Sequence, residues 1–304
     1  MPLFRRLSAY DERSARLAGV ALMLLSLFLF SLGDATGKFI VSTYSVGQFL
    51  FLRASASLLV LSPPIWRQRG EFLRMERPWL QFVRVMVATL DSFAFFLATV
   101  FLPLADVVTY YLAAPIFVTA LSAILFGEHV GWRRWCAVLI GFCGVLIALG
   151  PSAQAASLPA LIALGGSLSF ALLLLTTRSL RATPDIVLVT TQYGGALLLG
   201  MALSVFGWVR PTAGSLVLFA VAGCISAAGL LCLKRSLKLA PATVVAPFQY
   251  SMIVWAMIFG FVVFGDVPSA PTIIGAAIII GAGVYIILRE RAIGCQDPQI
   301  DPPA

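Results

Sequence analysis

Apolar runs of about twenty residues, separated by short polar joints, recur along the whole chain. Their approximate bounds are 18–41, 46–66, 79–100, 105–126, 132–149, 159–177, 185–207, 215–233, 242–264 and 270–288. A helix needs about 20 mainly apolar residues to cross a hydrocarbon core of about 30 Å, and these runs meet or approach that length. The joints carry turn chemistry: Pro63-Pro64 near the end of the second run, Pro103 after the third, Gly150-Pro151 after the fifth, and Pro241 and Pro268 around the ninth. The pattern predicts an all-α membrane protein of ten transmembrane helices.

Composition agrees with lipid as the solvent. Of 304 residues 60% are hydrophobic and 11% charged, at a mean hydropathy of +0.98, a surface no soluble domain of this size tolerates. The first 17 residues are polar and basic, and the apolar run behind them is too long for a cleaved signal peptide, so it is expected to be a retained first span. Alternation of ten spans puts 17 Lys and Arg in the joints on the N-terminal side against Arg210 alone on the other. By the positive-inside bias both termini are expected in the cytoplasm of a bacterial inner (plasma) membrane.

The net charge of +8 is scattered singly or in pairs between apolar runs, unlike the basic patch of a nucleic-acid binder. Cys136, Cys143, Cys224, Cys232 and Cys295 show no CxxC spacing and read as small apolar packing residues, with no metal site, disulfide framework or cofactor implied. The lone His129 falls in a loop, and no G-x-S-x-G elbow is present, which argues against an intramembrane enzyme. Joints of about a dozen residues at most leave no soluble signalling domain. An ion channel is disfavoured because the charges form no single ring.

The chain repeats itself at a spacing of roughly 140 residues, an arrangement many secondary transporters share. F-S-L-G-D-A-T-G-K ending at Lys38 aligns with F-A-L-L-L-L-T-T-R ending at Arg178; L-P-L-A-D-V-V from Leu102 aligns with L-K-L-A-P-A-T-V-V from Leu237; I-L-F-G-E ending at Glu128 answers V-V-F-G-D ending at Asp266. The expected division is a cytoplasmic segment 1–17, a first repeat 18–149, a second repeat 159–288 and a cytoplasmic tail 289–304. With five spans per repeat the second copy is inverted, which places a substrate near the midplane between the halves, with alternating access. Small-residue spacings at Gly33xxxGly37 and Ala277xxxGly281 are expected to pack the two halves rather than build a dimer, favouring a monomer. Trp132 and Trp135 beside Arg133 and Arg134 read as an interfacial anchor.

Ionisable side chains inside spans are costly and need a partner or a watery cavity. Four stand out: Asp34, Arg53, Arg84 and Asp91. At 1.5 Å per residue, Asp34 lies about 24 Å along the first span and Asp91 about 18 Å along the third, with Arg53 about 10 Å in from the far end. The three reach similar depth, and Lys38 stands at the i, i+4 spacing that would let it pair with Asp34. Two interpretations stay open: a cavity cluster that contacts a zwitterionic substrate or moves with the transport cycle, or a permanent ion-pair network joining the first three spans. A coupling-proton role for either carboxylate is a further option.

A second constellation is polar and aromatic. Tyr110 and Tyr111 precede Pro115; Gln192 and Tyr193 share the seventh span; Pro247, Phe248, Gln249, Tyr250 and Trp255 lie in the ninth. Proline inside a span frees a carbonyl, tolerable in lipid only where neighbours or cavity water satisfy it. Prolines in two repeat-related spans therefore point to the central cavity. Tyrosine and glutamine beside them suit large amino-acid side chains, or else serve as interhelical packing and hydrogen-bond residues.

Together these residues resemble the drug/metabolite transporter superfamily, in its EamA-type members with two five-helix repeats. The resemblance rests on Lys38, Arg53, the A-x-V-V…P-I-F…L-F-G-E run from Ala105 to Glu128, the W-x-x-x-x-x-G-F-C-G-V after it, and A-P-A-T-V-V-A-P-F-Q-Y…F-G-D in the second half. It covers essentially the whole chain. Asp34, where many relatives are neutral, and Gly265-Asp266 in place of Gly-Glu depart from the pattern. The resemblance implies a ten-helix basket around a central cavity and, among YddG-like members, export of amino acids, aromatic ones included. A nucleoside-like, vitamin-like or S-adenosylmethionine-like substrate is the alternative. The expected partners are a small-molecule substrate and the lipid bilayer.

Overall fold

The computed structural model describes residues 2–73, 77–126, 132–149, 157–180, 182–239 and 246–294. His129, Gly150-Pro151, Pro241 and Cys295 lie outside the described residues, as do the side chains of residues 2–16. The helices are α1 (Pro2–Val41), α2 (Val46–Arg67), α3 (Pro78–Phe101), α4 (Leu104–Tyr111), α5 (Ala114–Phe126), α6 (Trp132–Leu149), α7 (Leu158–Ser179), α8 (Asp185–Ser204), α9 (Ala213–Leu239), α10 (Ser251–Phe259) and α11 (Ala270–Gly294). The apolar run from Leu17 to Val41 continues a helix that starts at Pro2, so the polar N-terminal segment belongs to the first helix.

Six of the described helices are long and apolar enough to cross a membrane by themselves. Two further crossings are broken, at the prolines the sequence marks. The fourth is α4 plus α5. Pro115 has no N–H to give to Tyr111, so the chain turns at Leu112 and Ala113 through bonds from Ala113 N–H to the Tyr110 carbonyl (3.1 Å) and from Ile116 N–H to the Ala113 carbonyl (2.9 Å). The ninth runs from a 3₁₀ turn at Ala246–Tyr250, which holds Pro247, through α10 into a π-helical turn at Gly260–Phe264. It stops at Gly265, whose φ of 70° places it in the left-handed region, while Asp266 N–H reaches back to the Gly260 carbonyl at 3.0 Å. Glycine enters that region without a Cβ clash and ends the helix.

The packing obeys a two-fold rule. α1 packs most extensively on α9, α3 on α7, α2 on α8 and α6 on α11, and α4 also meets α10. Exchanging the first five crossings for the second five converts α1 on α9 into α7 on α3 and maps the other three pairs onto themselves. An inverted repeat about an axis in the membrane plane produces this set of pairs. The closest self-paired crossing lies between Gly47 and Gly200: a Cβ on Gly47 would sit 2.6 Å from Leu203 Cβ, and one on Gly200 would strike the backbone of α2. Polar bonds reinforce that seam, with Gln48 Nε2 donating to the Val209 carbonyl at 2.7 Å and Val209 N–H returning to Gln48 Oε1 at 3.1 Å.

The outer surface is apolar, with Leu59, Ile124, Leu198, Phe261 and Val262 among its exposed side chains, a face suited to lipid. Two sequence expectations are corrected. Cys136, Cys143 and Cys224 sit on this exposed face instead of packing inside. Gly33 does pack between halves, against Ile225 and Ser226, but Gly37 faces Phe49 and Phe96 of its own half, and a Cβ on Gly281 would touch nothing within 4 Å. α11 meets α6 through the neighbouring stripe of Gly275, Ile278 and Ile279 around Gly144. The Ala277–Gly281 face turns outward.

Candidate functional site

The helices α1, α2 and α3 bring Asp34, Arg53 and Asp91 within electrostatic reach of one another. No ion pair closes among these three at the 4.0 Å limit, and no described side chain or amide donates a hydrogen bond to Asp34. Asp34 keeps part of its surface accessible between the buried Gly33 and Ala35. Asp91 has one carboxylate oxygen, Oδ1, enclosed and without a hydrogen-bond partner.

The guanidinium of Arg53 is held from several sides. Its Nε donates to Ser226 Oγ of α9 at 3.0 Å, and its carbon lies 5.6 Å from the Phe49 ring and 5.1 Å from the Phe96 ring, within cation–π range. Tyr193 of α8 adds its hydroxyl beside Ser57 and Ser226 and faces Arg53. The roughly 140-residue offset of the repeat sets Tyr193 opposite Arg53 across the α2–α8 pair, as the two-fold requires. Tyr111 completes the other wall: its hydroxyl donates to the Asp91 carbonyl at 3.0 Å, and its ring meets Phe95 edge-on at 5.1 Å. Gly166 on α7 leaves room for that ring, since a Cβ there would collide with the hydroxyl.

The remaining sequence candidates lie elsewhere. Tyr110 is buried in the main core near Asp106, and Tyr250 is buried in the same core. Gln192 accepts from Arg84 Nη2 at 3.2 Å. Trp255 packs edge-on against Phe28 at 5.1 Å and beside Phe259. Gln249 is exposed, and Phe248 lies against Met23 and Leu27. Pro115 and Pro247 act through the backbone breaks; their side chains lie outside the described set.

Lys38 corrects the expected pairing with Asp34. Its Nζ lies 2.6 Å from Asp266 Oδ2 and 4.6 Å from the Phe264 ring, so it ties α1 to the end of the ninth crossing. Asp106, in the first turn of α4, accepts from Thr272 Oγ1 at 2.8 Å and feels both Lys38 and Asp266. This cluster joins the two repeats at the ends of the first and ninth crossings. In the sequence Asp106 and Asp266 stand only within the repeat motifs L-P-L-A-D-V-V and V-V-F-G-D, and Thr272 carries no signal. Ser57 and Ser226 carried no signal at all.

Arg84 makes a third arrangement. It is 4% exposed and donates to Thr177 Oγ1 and the Leu188 carbonyl, both at 2.9 Å, besides Gln192. Neutral acceptors from α7 and α8 thus hold the charge near the C-terminal end of α7, whose dipole favours a cation. Among the described residues no group of His, Cys, Asp and Glu could hold a metal ion.

Helices that present lipid outside and enclose charges between inverted repeats define a multi-pass membrane transporter. The chain belongs to the EamA-like transporter family, which matches it twice, at residues 17–150 and 157–289. It is 24% identical over 283 residues to an S-adenosylmethionine uptake transporter of Rickettsia prowazekii (strain Madrid E), covering 92% of this chain and 96% of that one. A riboflavin transporter of Rhizobium johnstonii is 27% identical over 293 residues, covering 92% and 94%. The pseudopaline exporter CntI of Pseudomonas aeruginosa is 28% identical over 279 residues, covering 90% and 97%. A solved crystal structure shares the fold at a TM-score of 0.61 and 20% identity, over 92% of this chain and 99% of that one.

Proposed function

We propose that this protein is a secondary transporter that carries small metabolites bearing an amino-acid head group across the bacterial inner membrane by alternating access, with both termini in the cytoplasm. The observation that carries the proposal is the Asp34, Arg53 and Asp91 cluster: opposite charges within reach of one another, enclosed between spanning helices, and not consumed in an ion pair. A zwitterion offers the complement. Its carboxylate meets Arg53, whose Nε is already anchored while the two terminal nitrogens remain for a planar acceptor. Its ammonium meets a carboxylate. Phe95 and Tyr111 give the rest of the molecule an apolar wall.

Access alternates by exchanging closures. The Lys38–Asp266 bridge joins the repeats at the far end and must separate for that end to open. Such a carrier is reversible, so the gradient sets its direction; amino-acid pools higher inside than outside drive export. S-adenosylmethionine has the same head group and falls within the proposed class, whereas riboflavin lacks it. The test is counterflow in proteoliposomes, with and without a pH gradient, using labelled amino acids, S-adenosylmethionine and riboflavin. Flux of the first two with none of riboflavin is expected. Flux of riboflavin with none of any compound bearing the head group overturns the proposal.

A further inference from the structure

With both carboxylates ionised, the charges of this cluster do not balance. Two carboxylates, Asp34 and Asp91, face one guanidinium, Arg53, and no other described cation reaches them: Lys38 is taken by Asp266, and Arg84 by Thr177, Leu188 and Gln192. A zwitterion brings one charge of each sign and leaves the same imbalance. A substrate carrying one more positive charge removes it.

The two carboxylates are not equivalent. Asp91 has Tyr111 beside it and one oxygen shut in. Asp34 is partly accessible, and no described donor reaches it. One turn before Asp34, the Oγ of Ser31 is also buried, at 1% exposure, without a partner; at i, i+3 spacing the two share a helix face. The fold itself does not call for an acid here, because the repeat places Leu174 at the equivalent position of α7.

We propose that Asp34 determines specificity, selecting amino acids and amino-acid derivatives that carry a second cationic centre and hence a net positive charge. This rests on the transport of amino-acid head groups proposed above. Arg53 takes the carboxylate, Asp91 the ammonium, and Asp34 the side-chain cation, whose N–H or other positive group supplies what the protein does not. A neutral analogue of the same shape covers Asp34 without compensating its charge, which is what makes the discrimination large.

Arginine and citrulline test this directly, since they share a shape and differ by one charge. Proteoliposomes of the wild-type protein are expected to move arginine with a kcat/KM at least tenfold above that of citrulline. Asp34→Asn is expected to bring the ratio to about one or below, by loss on the arginine side, and Asp34→Glu to keep the preference. Thermal unfolding in detergent establishes that each variant is folded. A wild-type ratio at or below one overturns the proposal, as does an unchanged ratio in Asp34→Asn; either result leaves the head-group proposal standing so long as both compounds move. Movement of neither, with riboflavin carried, overturns both.

Discussion

The far-end cluster and the mid-membrane cluster use the same chemistry to opposite ends. At the far end Lys38 and Asp266 are in contact at 2.6 Å, with Asp106 bonded to Thr272; every charge has a partner and the contacts join the two repeats. At mid-membrane Arg53 is braced by Ser226, Phe49 and Phe96, yet the carboxylates it faces stay apart from it. A charge held in place but not neutralised costs the fold stability and is retained where a ligand completes it. Where charges are paired across repeats, the pair is part of the structure of one conformational state. Arg84 shows the third outcome, a buried cation satisfied entirely by neutral groups, and it serves to join α3, α7 and α8.

Removing charges one at a time separates these roles. Arg53→Gln is expected to lower counterflow by about a hundredfold, the scale of losing a buried charged recognition contact, in protein that thermal unfolding in detergent shows to be folded. Unchanged counterflow would place Arg53 with the structural charges. Arg84→Lys should do the reverse: a lysine cannot span three acceptors set around a planar fork, so stability falls by about 1–3 kcal/mol, measured by thermal unfolding, with substrate KM preserved. The smallest effect is expected at the far end. Lys38→Gln and Asp266→Asn each cost about 1 kcal/mol, and the reversed pair Lys38→Asp with Asp266→Lys recovers most of it; a double-mutant cycle reads the coupling. Additive losses in that cycle would show that the two residues do not act as one closure.

The crossings were legible in the residues because hydropathy is local: the run predicted at 132–149 matches α6, and the others agree within a few residues apart from extended or masked ends. The break in the fourth crossing was legible for the same reason, since Pro115 lacks its N–H whatever surrounds it. The partner of Lys38 was not. Spacing of i, i+4 offered Asp34, but the rotation of α1 turns Lys38 toward an aspartate 228 residues away. The role of Gln192 was likewise hidden, because only the packing of α3 against α8 brings Arg84 to it.

What the sequence by itself determined is the solvent, the number of crossings, the internal repeat and the stock of buried charges, all of which follow from composition and order along one chain. Which charges are paired and which are left open was decided only by the tertiary structure. The reason is one of distance: an ion pair depends on which helix faces meet within 4 Å, and in an inverted repeat the faces that meet come from opposite halves of the chain.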